Sequence, residues 1–234
     1  MPPSFEYVFP TIRGLQAGRA FYTSMCPLRL IPKIFLFDED EIPPDLRAQR
    51  TLNKNRLPEM SRYILENRSN YVFSAITASI DAEIEFEPTS TVEGLQDIGF
   101  LHIPMTARFL INDGQHRRAA IEHALKESPE LGDETIAVVF FLDPGLKRCQ
   151  QMFTDLNRYA VRPSPSLSLL YDHRDIKALV AKEVIRQSNF FTNTVEFERS
   201  NLAPRSGKLF TLSAISTASQ LLLGGQGAAP IEEQ

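Results

Sequence analysis

Cysteine is scarce in this chain. Its 234 residues hold only Cys26 and Cys149, too few for a disulfide framework, so packing must hold the fold together. Neither thiol has another cysteine or a histidine two to four residues away, and His102, His116, His123 and His173 lack ligand spacing, so no metal site is expected. Long apolar runs are also missing. Nothing approaches the roughly 18 residues that span a bilayer, which excludes a membrane protein and a membrane partner. Met1 to Phe9 has neither the basic nor the apolar region of a secretory signal, and the expected compartment is a reducing cytoplasm. Positive charge is not in excess: 25 Lys and Arg against 29 Asp and Glu leave −4. Any DNA contact must therefore use a local patch. What is present is 43% hydrophobic and 23% charged residues, the balance of one large globular domain or two small ones.

The first fifty residues look irregular, with Pro2, Pro3, Pro10, Pro27, Pro32, Pro43 and Pro44, and Leu28 to Phe37 reads as one strand broken by Pro32. Leu57, Met60, Tyr63 and Ile64 recur at helical spacing within Asn55–Arg68, with Asn53 or Asn55 as N-cap. Tyr71–Ile80 and Ala82–Phe86 read as two strands paired in a hairpin, and Leu101–Ile103 and Ala107–Ile111 as two more. A helix follows to Ser128-Pro129. Ile136–Leu142 is a buried strand. Asp143-Pro144 then starts a helix through Leu146, Cys149, Phe153 and Leu156, and further helices fit Leu167–Ile185 and Leu209–Leu223. The small, polar tail from Gly224 reads as a disordered or truncated linker.

The most informative segment is Arg108 to Ala120, where an apolar strand runs through Asn112-Asp113-Gly114-Gln115-His116-Arg117-Arg118 directly into a helix. Free N–H groups at a helix start and the positive end of its dipole favour phosphate. Gly114 allows close backbone approach, and Arg117 offers a bidentate fork. His116 has the chemistry to donate to a phosphate oxygen or move a proton, and Asp113 to cap the helix, hold a metal ion or orient a nucleophile. The same residues also fit a plain N-cap at Asp113 with solvated ion pairs from His116, Arg117 and Arg118.

Asp113-Gly114-Gln115-His116-Arg117, the upstream Arg50-Thr51-Leu52-Asn53-Lys54-Asn55-Arg56 and the downstream Phe153-Thr154-Asp155-Leu156-Asn157-Arg158 come in an order that resembles the DGQHR-domain proteins. Within them the chain is similar to the DndB family, associated with DNA phosphorothioation, over roughly Phe5 to Leu223. The resemblance implies an α+β fold similar to the ParB and sulfiredoxin domains: a mixed sheet with flanking helices over residues 1–162, a helical extension over 163–223 and a tail over 224–234. It implies a nucleotide site in which Gly114, Gln115, His116 and Arg117 face the phosphates and Asn157 and Arg158 help close the site. Asn157-Arg158 equally fits a helix C-terminus, where arginine complements the dipole. ATP or another NTP with Mg2+ is the implied cofactor. The turn lacks sulfiredoxin's cysteine, so sulfinic acid reduction is not expected.

The implied function is a DNA-binding transcriptional regulator, a repressor type acting on double-stranded promoter DNA of a phosphorothioation gene cluster, in homodimeric form. The alternative is a ParB-like NTP hydrolase with Asp113, His116 and Arg117 as catalytic residues. A nuclease fits less well, since only Asp113 of the needed carboxylates is in the motif. For DNA, Arg47, Arg50, Lys54, Arg56, Arg62 and Arg68 form the densest basic stretch, in which Arg50, Lys54 and Arg56 can touch phosphates and Asn53 and Asn55 read adenine, unless they are a solvated helix face paired with Glu59 and Glu66. Arg13, Arg19, Cys26 and Arg29 are a second candidate, with Cys26 either a thiol activated near Arg29 or a buried filler. Arg199, Arg205 and Lys208 around a Pro-Arg-Ser-Gly loop are a third, which also fits an ordinary surface turn.

Overall fold

The computed structural model describes residues 5–35, 57–146, 148–158 and 163–223. The chain divides into two compact units, Met1–Ala160 and Val161–Gln234.

The first unit opens with a hairpin, which gives paired strands to a segment that the sequence indicates only as ordered extended chain. Strands β1 (Glu6–Gln16) and β2 (Arg19–Pro27) are antiparallel, with Gln16 opposite Arg19. Ala17 and Gly18 connect them at φ 50° and 71°, the paired positive φ values that match the twist of the flanking strands. Pro10 is tolerated because β2 pairs with β1 only from Thr11 onward, so at Pro10 the neighbour is on one side alone. Leu28–Leu30 is a 3-10 turn running into a short helix α1 (Ile31–Ile34), not a strand: Pro32 sits in the first helical turn, where its missing N–H costs nothing. Helix α2 (Leu57–Glu66) follows as expected from its spacing.

Strands β3 (Ile76–Asp81), β4 (Glu85–Pro88), β5 (Ile98–Pro104), β6 (Arg108–Asp113) and β7 (Thr135–Leu142) complete a seven-stranded mixed sheet in the order β4-β5-β1-β2-β7-β3-β6. The expected β3–β4 hairpin does not form. β3 pairs with β6 and β7, and β4 with β5, so the two consecutive strands lie far apart in the sheet. β7 runs antiparallel to β2 and parallel to β3, joining the two sides.

Helix α3 (Gln115–Glu127) ends at Ser128, as the sequence indicates. One face of the sheet carries the core, in which Phe9, Ile76, Ile80, Leu101, Ile103, Val138 and Phe140 pack with Ile31, Ile64 and Ile121 of the helices. Each such burial is worth about 1.5–3 kcal/mol. The opposite face leaves Val8, Ile12, Met25, Ile98 and Phe100 substantially exposed. The helix expected from Asp143 begins later, as α4 (Cys149–Arg158), because Gly145 and Leu146 take positive φ of 74° and 52°. Asp143 still caps it: its buried carboxylate accepts from the Arg148 backbone N–H at 3.0 and 3.3 Å.

In the second unit the expected helix Leu167–Ile185 is two helices, α5 (Pro165–Tyr171) and α6 (Ile176–Gln187). Asp172 breaks it by accepting from the Arg174 and Asp175 backbone N–H groups, and Asp175 caps α6. Strands β8 (Val195–Glu196) and β9 (Phe210–Thr211) are parallel, and α7 (Leu212–Leu223) follows. Ala181, Val195, Leu212 and Ile215 form this unit's own core. The expectation for residues 224–234 lies outside the described residues.

Candidate functional site

β6 delivers the chain to Asp113, and α3 starts two residues later. The single residue between them, Gly114, holds φ 108° and ψ 14°, a conformation that disfavours a side chain. A Cβ there would lie 3.0 Å from Ile76 Cγ1 and 3.1 Å from Arg117 Nη2, so glycine also makes room for the arginine one turn later. Gly114 has no side chain to cap the first turn, and its carbonyl accepts the first helical bond from the Arg118 N–H at 2.9 Å.

Arg117 folds back over this turn. Its Nη2 donates to Asp113 Oδ2 at 2.6 Å and to the Ala75 carbonyl at 3.0 Å. Its Nε is buried without an acceptor. A buried donor in that state costs about 1–3 kcal/mol and is an uncommon thing to leave in a fold. The glycine is thus explained by the protein's own packing, but the orphaned Nε is not. Asp113 is half exposed and engaged by Arg117; His116 is half-buried.

Gln115 and Arg118 turn inward. Gln115 is buried, which removes its side chain from the open side of the turn where phosphates were expected to meet it. Arg118, expected on the surface if the motif were only a capped helix start, is instead a buried cation. Its Nε donates to the Phe35 carbonyl at 3.0 Å, Nη2 to the Pro32 carbonyl at 3.3 Å and Nη1 to Glu122 at 2.5 Å. It ties α3 to α1. Sequence reasoning missed this role, although Arg118 shares a helical face with Ile121 and Leu125. It also missed Asn112, which is fully buried in β6 and donates to Ser79 at 2.8 Å while its Oδ1 has no partner.

Asn157 and Arg158 lie exposed in the last turn of α4, where the Asn157 amide donates to the Phe153 carbonyl at 2.8 Å. That is the local bonding of a helix end. The other end of α4 is the anchored one, with Cys149 fully buried against Leu110 of β6.

Of the DNA-contact residues, Arg50, Asn53, Lys54 and Arg56 lie outside the described residues. Cys26 is in the core with 0% exposure, and burial pushes its thiol up to about 12. The activated surface thiol is thereby corrected: desolvation disfavours the thiolate, and β2 turns the side chain away from any backbone outside. Arg29 is exposed, but its Nε donates to the Gly132 carbonyl at 3.0 Å and it pairs with Asp133, clamping the turn before β7. Among the described residues no group of three His, Cys, Asp or Glu is arranged to hold a metal ion, and no helix is long and apolar enough to cross a membrane.

A family model named DndB and described as DNA-sulfur modification-associated matches residues 9–234. The chain belongs to the DndB family. The match takes in the Asp113–Arg117 turn, the basic stretch before α2 and the end of α4, and it associates this DndB chain with DNA sulfur modification. No curated protein and no solved structure matches it.

Proposed function

We propose that this DndB-family chain is a DNA-binding transcriptional regulator of a DNA phosphorothioation gene cluster, working in the cytoplasm as a homodimer on double-stranded promoter DNA. The family match over residues 9–234 carries this reading. In the same proposal the Asp113–Arg117 turn, with its kinship to ParB and sulfiredoxin domains, is a regulatory phosphate site for ATP or another NTP with Mg2+. The supporting observation is the Arg117 Nε, buried and without an acceptor beside a glycine turn. A phosphate there takes the Arg117 guanidinium as its partner in competition with Asp113, and Gly114, Gln115 and His116 contribute backbone N–H groups of the first turn. Asn157 and Arg158 enter the proposal as closing groups from α4.

Hydrolysis draws less support. Asp113 is engaged by Arg117 at 2.6 Å, so a role in activating water first requires that pair to open.

The regulator reading is tested by a gel shift with the cluster's own promoter fragment. Specific retardation that weakens steeply with salt is expected; equal affinity for any duplex of the same length overturns it. Nucleotide binding is tested by titrating ATP and Mg2+ into wild type and Arg117→Ala. Binding is expected only in wild type, and equal binding by both removes the turn from the site. Phosphate release that persists unchanged in Arg117→Ala would show that any turnover lies elsewhere.

A further inference from the structure

The second unit contains an open cavity of about 550 Å3 lined by Ser164, Pro165, Arg199, Asn201, Leu202 and Ala203. Its walls are fixed. Ser164 donates to the Glu198 carbonyl, the Ser166 N–H donates to Ser200 Oγ at 3.1 Å, and Ser200 Oγ bonds Ser166 Oγ at 3.4 Å, so the loop is tied to the start of α5. These bonds turn the hydroxyls into the unit's own framework. The lining is mostly apolar, with Pro165, Leu202 and Ala203 in it beside Arg199.

The charge on the loop is mainly positive, with Glu196 close enough to Arg199 and Lys208 to interact with both. From Arg199 to Lys208 the chain carries Arg199, Arg205 and Lys208 and no acidic residue. Glu196 and Glu198 precede the loop, and the Glu196 carboxylate is turned to the Glu198 and Arg199 backbone N–H groups at 3.0 and 3.3 Å. Neither Arg199 nor Arg205 has a carboxylate within ion-pair distance among the described residues, unlike Arg13, Arg29, Arg117 and Arg118. Arg205 stands exposed on a turn closed by the Ser206 N–H bond to the Ala203 carbonyl at 3.0 Å, and Lys208 steadies the loop by donating to the Asn193 carbonyl at 3.0 Å.

We propose that this cavity, with Arg199 in its lining and Arg205 exposed further along the same loop, receives the sugar-phosphate backbone of duplex DNA, with a deoxyribose edge against Pro165 and Leu202 and phosphates on Arg199 and Arg205. The proposal rests on the DNA-binding reading above and assigns it a surface. A small free anion fits poorly, because the cavity is open and its hydroxyls are engaged internally. An extended ligand with spaced negative charges and apolar carbon between them matches both the apolar lining and the arginines.

The test compares full-length wild type with Arg199→Gln/Arg205→Gln and with Leu202→Ser in a fluorescence anisotropy titration of promoter duplex across salt concentrations. The double variant is expected to bind roughly tenfold or more weakly, with its salt slope reduced by about two, one for each lost phosphate contact. Leu202→Ser is expected to weaken binding with the slope unchanged. Unaltered thermal melting checks that the fold survives; if Arg199→Gln/Arg205→Gln melts early, the exposed single variant Arg205→Gln replaces it and is expected to lower the slope by about one, an unchanged slope overturning the site. If wild type binds DNA and the double variant binds equally well with the same slope, the surface is wrong while the regulator reading stands. If wild type binds no DNA, the regulator reading itself fails and takes this site with it.

Discussion

Two pairs of arginines, one in each unit, are used in opposite ways. In the first unit Arg117 and Arg118 turn inward, to carbonyls and to carboxylates one turn along the helix. In the second, Arg199 and Arg205 make no close ion pair among the described residues, although Glu196 lies near enough to Arg199 to interact with it, and their loop is itself well tied down. A guanidinium bound to its own fold stabilises that fold and reaches a ligand only by exchanging partners; one without such bonds is available to a ligand from the start. Motif residues and ligand residues therefore need not coincide, even when both are arginine.

Removing the inward group should have the largest effect. Arg118→Ala leaves two carbonyls without their donor and Glu122 with Lys126 alone, and should cost about 3 kcal/mol, read as a lower urea midpoint at unchanged m-value. An Arg118→Ala protein as stable as wild type would make both pairs of arginines alike. Gly114→Ala should follow, at about 1–3 kcal/mol, because it combines a positive φ with crowding against Ile76 and Arg117.

The buried thiol of Cys26 provides a smaller handle that depends on pH. Its folded pKa, raised from 9.0 to about 12, means that the unfolded chain loses this proton first, so stability is full below pH 9.0 and falls as pH rises toward about 12. Denaturant melts at about pH 10 should show a loss of about 1 kcal/mol that Cys26→Ala removes. Thiol reagents should leave Cys26 unlabelled until the protein unfolds. The smallest effect belongs to the outward pair: Arg199→Ala and Arg205→Ala should each change stability by less than about 0.5 kcal/mol, and a larger loss would turn them into structural residues like Arg118.

Much of the fold was legible where one face of an element is apolar and the other polar. The end of α3 at Ser128 and the extent of β7 agree with their patterns. β1 was hidden because its outward side carries Val8, Pro10 and Ile12, so apolar residues occupy both faces and no alternation is visible. The pairing of β3 and β4 was misread because adjacency in sequence says nothing about long-range partners; here the β6 and β7 partners come from far along the chain. At the site, Gly114 and the helix start could be read from residue types alone. Which of two consecutive arginines turns inward required the helical phase with Ile121 and Leu125, and the engagement of Arg29 with the turn before β7 required tertiary contacts no local pattern contains.

The position of β7 has a consequence for how the molecule is made. Among the described residues it is the one strand paired with both the β4-β5-β1-β2 side of the sheet and the β3-β6 side, and it pairs Phe141 with Phe21 and with Ser79. A nascent chain that has not yet extended past Leu142 holds two half-sheets that share no strand pairing, linked through the short connection from Pro104 to Arg108 and side-chain packing such as Tyr7 on Phe109. Closure across so long a loop is entropically slow, so the seam on either side of β7 should be the last part of the sheet to gain protection from hydrogen exchange during refolding.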